Sequence, residues 1–231
     1  MRFRILIVTF GVISLFSCKK EKEKVDVEFT LKYTGKTPFG RNYVVDNSKT
    51  KILFSNFIFT TASGKDTLVK DVFLYRPGKS SSFSFTAPEG EYTSFRFAFG
   101  LDTAMNNKIP ASFEASHPLS VETGLYWDML KYRFLIVEGS IDNSATKDQT
   151  PNAPFSMHLG RDTLYQEILV SGVPRNGSKV TIELDEDRLM SLDSDPFKIT
   201  NFSNHSEDAD VPNIISIRNA FVNSIRTTDT P

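Results

Sequence analysis

The sequence predicts an all-β protein, a single antiparallel β-sandwich with long loops and a short C-terminal helix. Three observations predict it. Twenty phenylalanines and seven tyrosines among 231 residues carry much of the apolar content, and aromatic side chains favour pleated, half-buried strands. Short runs of alternating or apolar residues recur along the chain, separated by Gly, Pro, Asn and Ser turn signals. Helical periodicity is confined to two pieces near the C-terminal end. Repeated short strands of this kind bury their apolar faces by packing sheet on sheet.

The elements follow in order. Residues 25–33 (VDVEFTLKY) alternate without a break and form a first strand. Residues 52–61 and 67–75 are a second and third, joined by the turn Ser63-Gly64-Lys65-Asp66. Residues 81–86 come next, then Pro88-Glu89-Gly90 turns the chain into 92–99, where Phe95, Phe97 and Phe99 share a face. Later strands are expected at 132–137, 155–159, 164–170 and 179–184. Residues 185–192 form a short helix with acids at its start, and 212–225 a second, with Ile214, Ile217, Phe221 and Ile225 on the stripe that docks on the sandwich. With no internal repeat and no break in composition, residues 25–226 read as one domain followed by a tail, 227–231. Residues 100–131 depart from the strand rhythm. A connection of that length is either functional or hides an element, and it holds the only tryptophan, Trp127, and one of three histidines, His117.

The N-terminal segment is an address. Arg2 and Arg4 precede a dozen mostly apolar residues, too few to span a bilayer as a helix but enough for a secretory signal. Leu15-Phe16-Ser17-Cys18 resembles the lipobox of bacterial lipoproteins. That resemblance implies removal of 1–17, acylation of Cys18, and a membrane partner reached through the lipid. Residues 18–24 are then a charged tether, similar to surface-export signals of Bacteroidota lipoproteins, which places the domain at the outer membrane on its periplasmic face or the cell surface. Cys18 is the only cysteine, so any soft-metal site must use imidazole, thioether or a modified aromatic. A net charge of −1 and a pI near 6.3 leave no electrostatic footprint for nucleic acid. No Gly-x-Ser-x-Gly elbow, phosphate loop or His-Glu-x-x-His pair is present, and the chain is expected not to be an enzyme.

A family resemblance emerges from an ordered series. It comprises residues 91–106 (EYTSFRFAFGLDTAMN), then His117-Pro118-Leu119, Gly124-Leu125-Tyr126-Trp127, the strand YRFLIVEG from Tyr132, and Phe155-Ser156-Met157-His158-Leu159-Gly160. Together these resemble the MbnP family, methanobactin-associated copper-binding proteins and their Bacteroidota lipoprotein relatives, over residues 25–225. The resemblance implies a β-sandwich of the cell envelope. It also implies copper held by histidines and by a tryptophan oxidised to kynurenine, with a dihaem peroxidase partner performing the oxidation. By position His117, Trp127 and His158 match the family's motifs. The second tryptophan common two residues after the first is Met129 here.

Residue chemistry leaves alternatives open beside that implication. Imidazole suits copper, yet no short-range spacing ties His117 to His158. His158 also fits a hydrogen-bonded strand histidine, His117 a loop histidine held extended by Pro118, and Trp127 an aromatic closing the core. His205 is a third ligand or a solvated loop residue. Met105, Met129 and Met157 offer thioethers or packing. Acids at 185–187 and 207–210 lack the calcium-loop pattern, and Asp102 and Asn106 are expected to hold their loop by local hydrogen bonds. The competing functional reading is a metal-free surface module that binds a protein or glycan partner through its long loops.

Overall fold

The computed structural model describes residues 23–190, 202–205 and 211–230. The expected signal and Cys18 lie outside them, as do the acids at 207–210. Thirteen strands are described: β1 (Val25–Lys32), β2 (Tyr43–Val45), β3 (Lys51–Thr60), β4 (Asp66–Tyr75), β5 (Ser82–Phe85), β6 (Ser94–Phe99), β7 (Tyr126–Trp127), β8 (Lys131–Ile141), β9 (Ala153–Gly160), β10 (Gln166–Leu169), β11 (Lys179–Asp185), β12 (Phe202–Asn204) and β13 (Arg226–Thr230). They form two sheets. The smaller has the order β13-β11-β1-β5, the larger β10-β6-β3-β8-β9-β12, with β4 on β3 and with β2 and β7 on β8. Most pairings are antiparallel, as expected of the sandwich, whereas β1/β11 and β9/β12 are parallel. No helix among the described residues is long and apolar enough to cross a membrane.

Phenylalanine joins the layers. Phe29 of β1 stacks on Phe54 of β3 at 4.8 Å and on Phe73 of β4 at 5.0 Å, and Phe83 of β5 meets Phe57 and Phe73, each at 4.9 Å. The expected face of Phe95, Phe97 and Phe99 is wholly buried. Burying each such ring stabilises the fold by about 1.5–3 kcal/mol. The C-terminal helix, Val211–Ser224, buries Ile214, Ile217 and Phe221, and Phe221 meets Phe99 edge-on at 5.9 Å. The expected stripe is therefore core.

Three regions differ from the sequence reading. Residues 100–131 are not one irregular loop: they contain a single turn of α-helix (Thr103–Asn106), two 3-10 turns (Pro110–Ser112 and Val121–Thr123) and β7. Each is shorter than the window over which periodicity can be read. Asp102 caps the helical turn as a local contact, accepting the Met105 N–H at 2.8 Å. Asn106 instead works at long range, for its buried amide accepts from Tyr132 N–H at 3.1 Å and donates to Asp162 at 2.7 Å. The segment expected to be a tail contains β13, an edge strand on β11.

The expected helix at 185–192 begins as a 3-10 turn, Glu186–Met190. Its acids do more than complement a helix end. Asp187 accepts from Thr34 Oγ1 at 2.6 Å and from Tyr43 OH at 2.5 Å. Glu186 is buried, with Oε1 lacking a partner, and burial together with the Asp187 charge pushes its carboxyl up to about 7 from 4.5. The folded state thus holds this proton more tightly than the unfolded chain does. Stability from Glu186 is fully present below pH 4.5 and falls as pH rises through about 7. Glu186→Gln should flatten that decline and raise stability at pH 8 by roughly 3 kcal/mol, read from urea midpoints at pH 5 and pH 8. Equal gains at both pH values would contradict the assignment.

Candidate metal centre

The centre starts from strand alternation. In β9 the side chains of Phe155, Met157 and Leu159 enter the core, so Ser156 and His158 must face the other way. Strand β12 runs parallel beside it, with Phe202, Ser203 and Asn204 opposite Phe155, Ser156 and Met157. His205 follows Asn204 and therefore arrives beside His158. The two imidazoles stack, with centroids 4.8 Å apart and planes inclined by 9°, which is the spacing of neighbouring strands. His205 Nε2 lies 3.2 Å from Ser156 Oγ.

Strand β8 supplies the other flank. Glu138 is opposite Ser156, one step diagonal from His158, and its Oε1 is 2.9 Å from His158 Nε2 while Oε2 accepts from Lys49 Nζ at 2.8 Å. Trp127, at the β7 end of the β7–β8 hairpin, meets His205 edge-on at 5.7 Å, and the Arg133 guanidinium lies 5.9 Å from the indole. An open cavity of about 600 Å³ is bounded by Lys49, Glu138, Ser156, His158 and His205.

Electrostatics fix the protonation of this cluster. Lys49 holds the Glu138 carboxyl below the usual range, with His158 adding to it against the effect of burial. Burial pushes the His158 imidazole down, Glu138 opposing and Arg133 and His205 reinforcing. His158 is therefore neutral at neutral pH, the form a metal requires. A carboxylate only accepts, so His158 Nε2 carries the proton and donates it to Glu138. Nδ1 then holds the ring's lone pair, an arrangement of carboxylate and imidazole that orients metal ligands.

The structure brings His158 and Trp127 together through His205, and it sets His117 in a different cluster. His117 Nδ1 accepts from Leu119 N–H at 3.1 Å, Nε2 lies 3.4 Å from Asp71 Oδ2, and the ring stacks on Phe113 at 4.2 Å. Burial acts to raise the Asp71 carboxyl, but Val72 N–H and His117 hold it below the usual range. Strands β4, which carries Asp71, and β9 are three strand spacings apart, about 14 Å. His205, half-buried between two rings, is not the solvated loop residue that its polar neighbours suggest. The three-residue strand that places it is too short to be read from periodicity. Of the methionines, Met157 is core, Met105 packs against the core, and Met129 is exposed.

Among the described residues no group of three or more His, Cys, Asp or Glu side chains is placed to hold a metal ion. The donors here are two imidazoles, a pair whose chemistry fits copper. The rings are nearly parallel with centroids 4.8 Å apart, so their in-plane lone pairs lie in separate planes. Joint ligation requires one ring to turn about its Cβ–Cγ bond.

Comparison with known proteins gives three findings. The family model for MbnP matches residues 22–212. A solved structure, MbnP from Methylosinus trichosporium, superposes with a TM-score of 0.54 at 15% identity, covering 81% of this chain and 82% of that one; at that identity the likeness is one of fold. No curated protein sequence matches the chain.

Proposed function

The chain belongs to the MbnP family, and on that premise we propose that it is a lipid-anchored envelope protein that binds a copper ion between His158 and His205, beside Trp127. The observation that carries this reading is the stacked imidazole pair with Glu138 fixing one ring. The family resemblance supplies the metal's identity, and the residues supply its donors. Copper would contribute a soft Lewis acid that imidazole nitrogen satisfies. Glu138 holds the His158 proton on Nε2 and aims Nδ1. Ser156 bonds His205 at Nε2, and Trp127 covers the His205 ring from the side. His117 is a ligand candidate by motif position, but its placement with Asp71 and Phe113 supports His205 in that role.

The same reading makes this a binding protein rather than an enzyme, anchored at the outer membrane through Cys18. A dihaem peroxidase partner belongs to it only if Trp127 is oxidised. The test is titration of the full chain with Cu(I), alongside His158→Ala, His205→Ala and His117→Ala. One equivalent should bind in the native chain and in His117→Ala, with binding lost in the other two. A mass shift in the peptide containing Trp127 reports oxidation. For the anchor, Cys18→Ala should release the chain from the membrane fraction, and continued membrane association would argue against the lipid.

The metal-free reading rests on two observations: the described residues lack a third ligand, and Met129 occupies the place of a second tryptophan. Absence of stoichiometric copper uptake in the native chain would favour it.

A further inference from the structure

A second cavity lies on the His117 side of the molecule, of about 370 Å³, with Arg76, Lys70, Phe83, His117, Pro118 and Thr123 on its walls. Arg76 follows β4 directly and is held by its backbone. Its N–H donates to Ser80 C=O and its own C=O accepts from Ser80 N–H, both at 2.9 Å, across a tight turn in which Gly78 has φ +68°. The side chain has no such anchorage. Nε is enclosed and without a hydrogen-bond partner, and among the described residues no carboxylate pairs with the guanidinium. A part-buried guanidinium left unpaired is costly, and structural arginines are ordinarily satisfied by carboxylate or carbonyl.

Further cations gather around it. Lys51 is next in register to Arg76, because its neighbour Ile52 pairs with Tyr75, and its Nζ donates to Thr123 C=O at 2.9 Å on the cavity wall. Burial, followed by the charges of Arg133 and Arg76, depresses the Lys51 ammonium; Glu138 opposes this and Lys79 adds a smaller part. Opposing charge is limited. Glu122 is exposed at the rim, and Asp71 is engaged by Val72 N–H and His117.

We propose that this cavity is an anion site, taking a small oxyanion, a carboxylate or phosphate, whose oxygens meet the Arg76 guanidinium while any apolar part lies on Phe83 and Pro118. Guanidinium presents a planar fork that fits both oxyanions bidentately. Lys70 and Lys51 add charge without competing for that geometry. The cavity holds only a small molecule, and its apolar wall favours an anion with a short hydrocarbon part over a bare ion.

Calorimetric titration of the full chain with hexanoate, inorganic phosphate and, as an uncharged control, hexanol tests the site. Saturable binding of at least one anion is expected, none of hexanol, and a loss of about tenfold or more in Arg76→Gln. Whichever anion binds identifies the oxyanion. Arg76→Lys, which keeps the charge but loses the fork, should fall between. Because the guanidinium is unpaired, Arg76→Gln should unfold at the same urea concentration as the native chain or a higher one. Equal anion affinity in Arg76→Gln, or no saturable binding of either anion to the native chain, would overturn the proposal.

Discussion

Phe29→Ala is expected to cost about 3–5 kcal/mol of unfolding free energy, the range for emptying a large buried aromatic site. Phe29 is 2% exposed and makes ring contacts with Phe54, Phe73, Tyr75 and Phe97. All four partners belong to the larger sheet, so the ring is the bolt between the layers and not a member of one layer only. Deleting it leaves a cavity that two hydrogen-bonded sheets cannot collapse to fill. Chemical denaturation should show a lower midpoint with an unchanged slope. A cost under about 1 kcal/mol would mean that the sheets are held elsewhere.

Gly139→Ala should also destabilise the fold, for a different reason. A methyl group at this position would lie 2.0 Å from Val44 C=O and 2.8 Å from the Phe155 ring. The ring can tilt, but the carbonyl belongs to β2, whose Val45 is paired with Gly139 itself. Relief requires β2 to leave β8, and overpacking of this kind costs about 1–3 kcal/mol and sometimes more. Gly139 also follows Glu138, so the same displacement should loosen the carboxylate from His158. Hydrogen exchange should show lost protection at residues 43–45. Preserved protection there would contradict the steric account.

The parts of the fold that were legible in the sequence are those where one residue type repeats at a fixed period. Phe95, Phe97 and Phe99 announced a buried face, and Ile214, Ile217 and Phe221 a docked helix stripe; both are core in the structure. What stayed hidden depends on partners distant in sequence. Strand β12 has three residues, and only its pairing with β9 makes it a strand. Nothing local to Asn204 or Ser206 indicates that His205 will stack on His158. Asn106 likewise read as a loop polar residue, because its bonds to Tyr132 and Asp162 exist only after folding. The motif reading places His117, Trp127 and His158 in one site, whereas the structure sets His205 between Trp127 and His158. His117 was the least legible candidate, since a motif position carries no information about which sheet edge its loop crosses.

The chain has three histidines, so each imidazole can be followed separately. Imidazole nitrogen–proton correlation spectra should be recorded for the full chain before and after one equivalent of Cu(I). Before addition, His158 should carry its proton on Nε2, as the Glu138 contact dictates. On addition, His158 and His205 should shift together while His117 stays in place. Movement of His117, with His158 and His205 unchanged, would contradict the account.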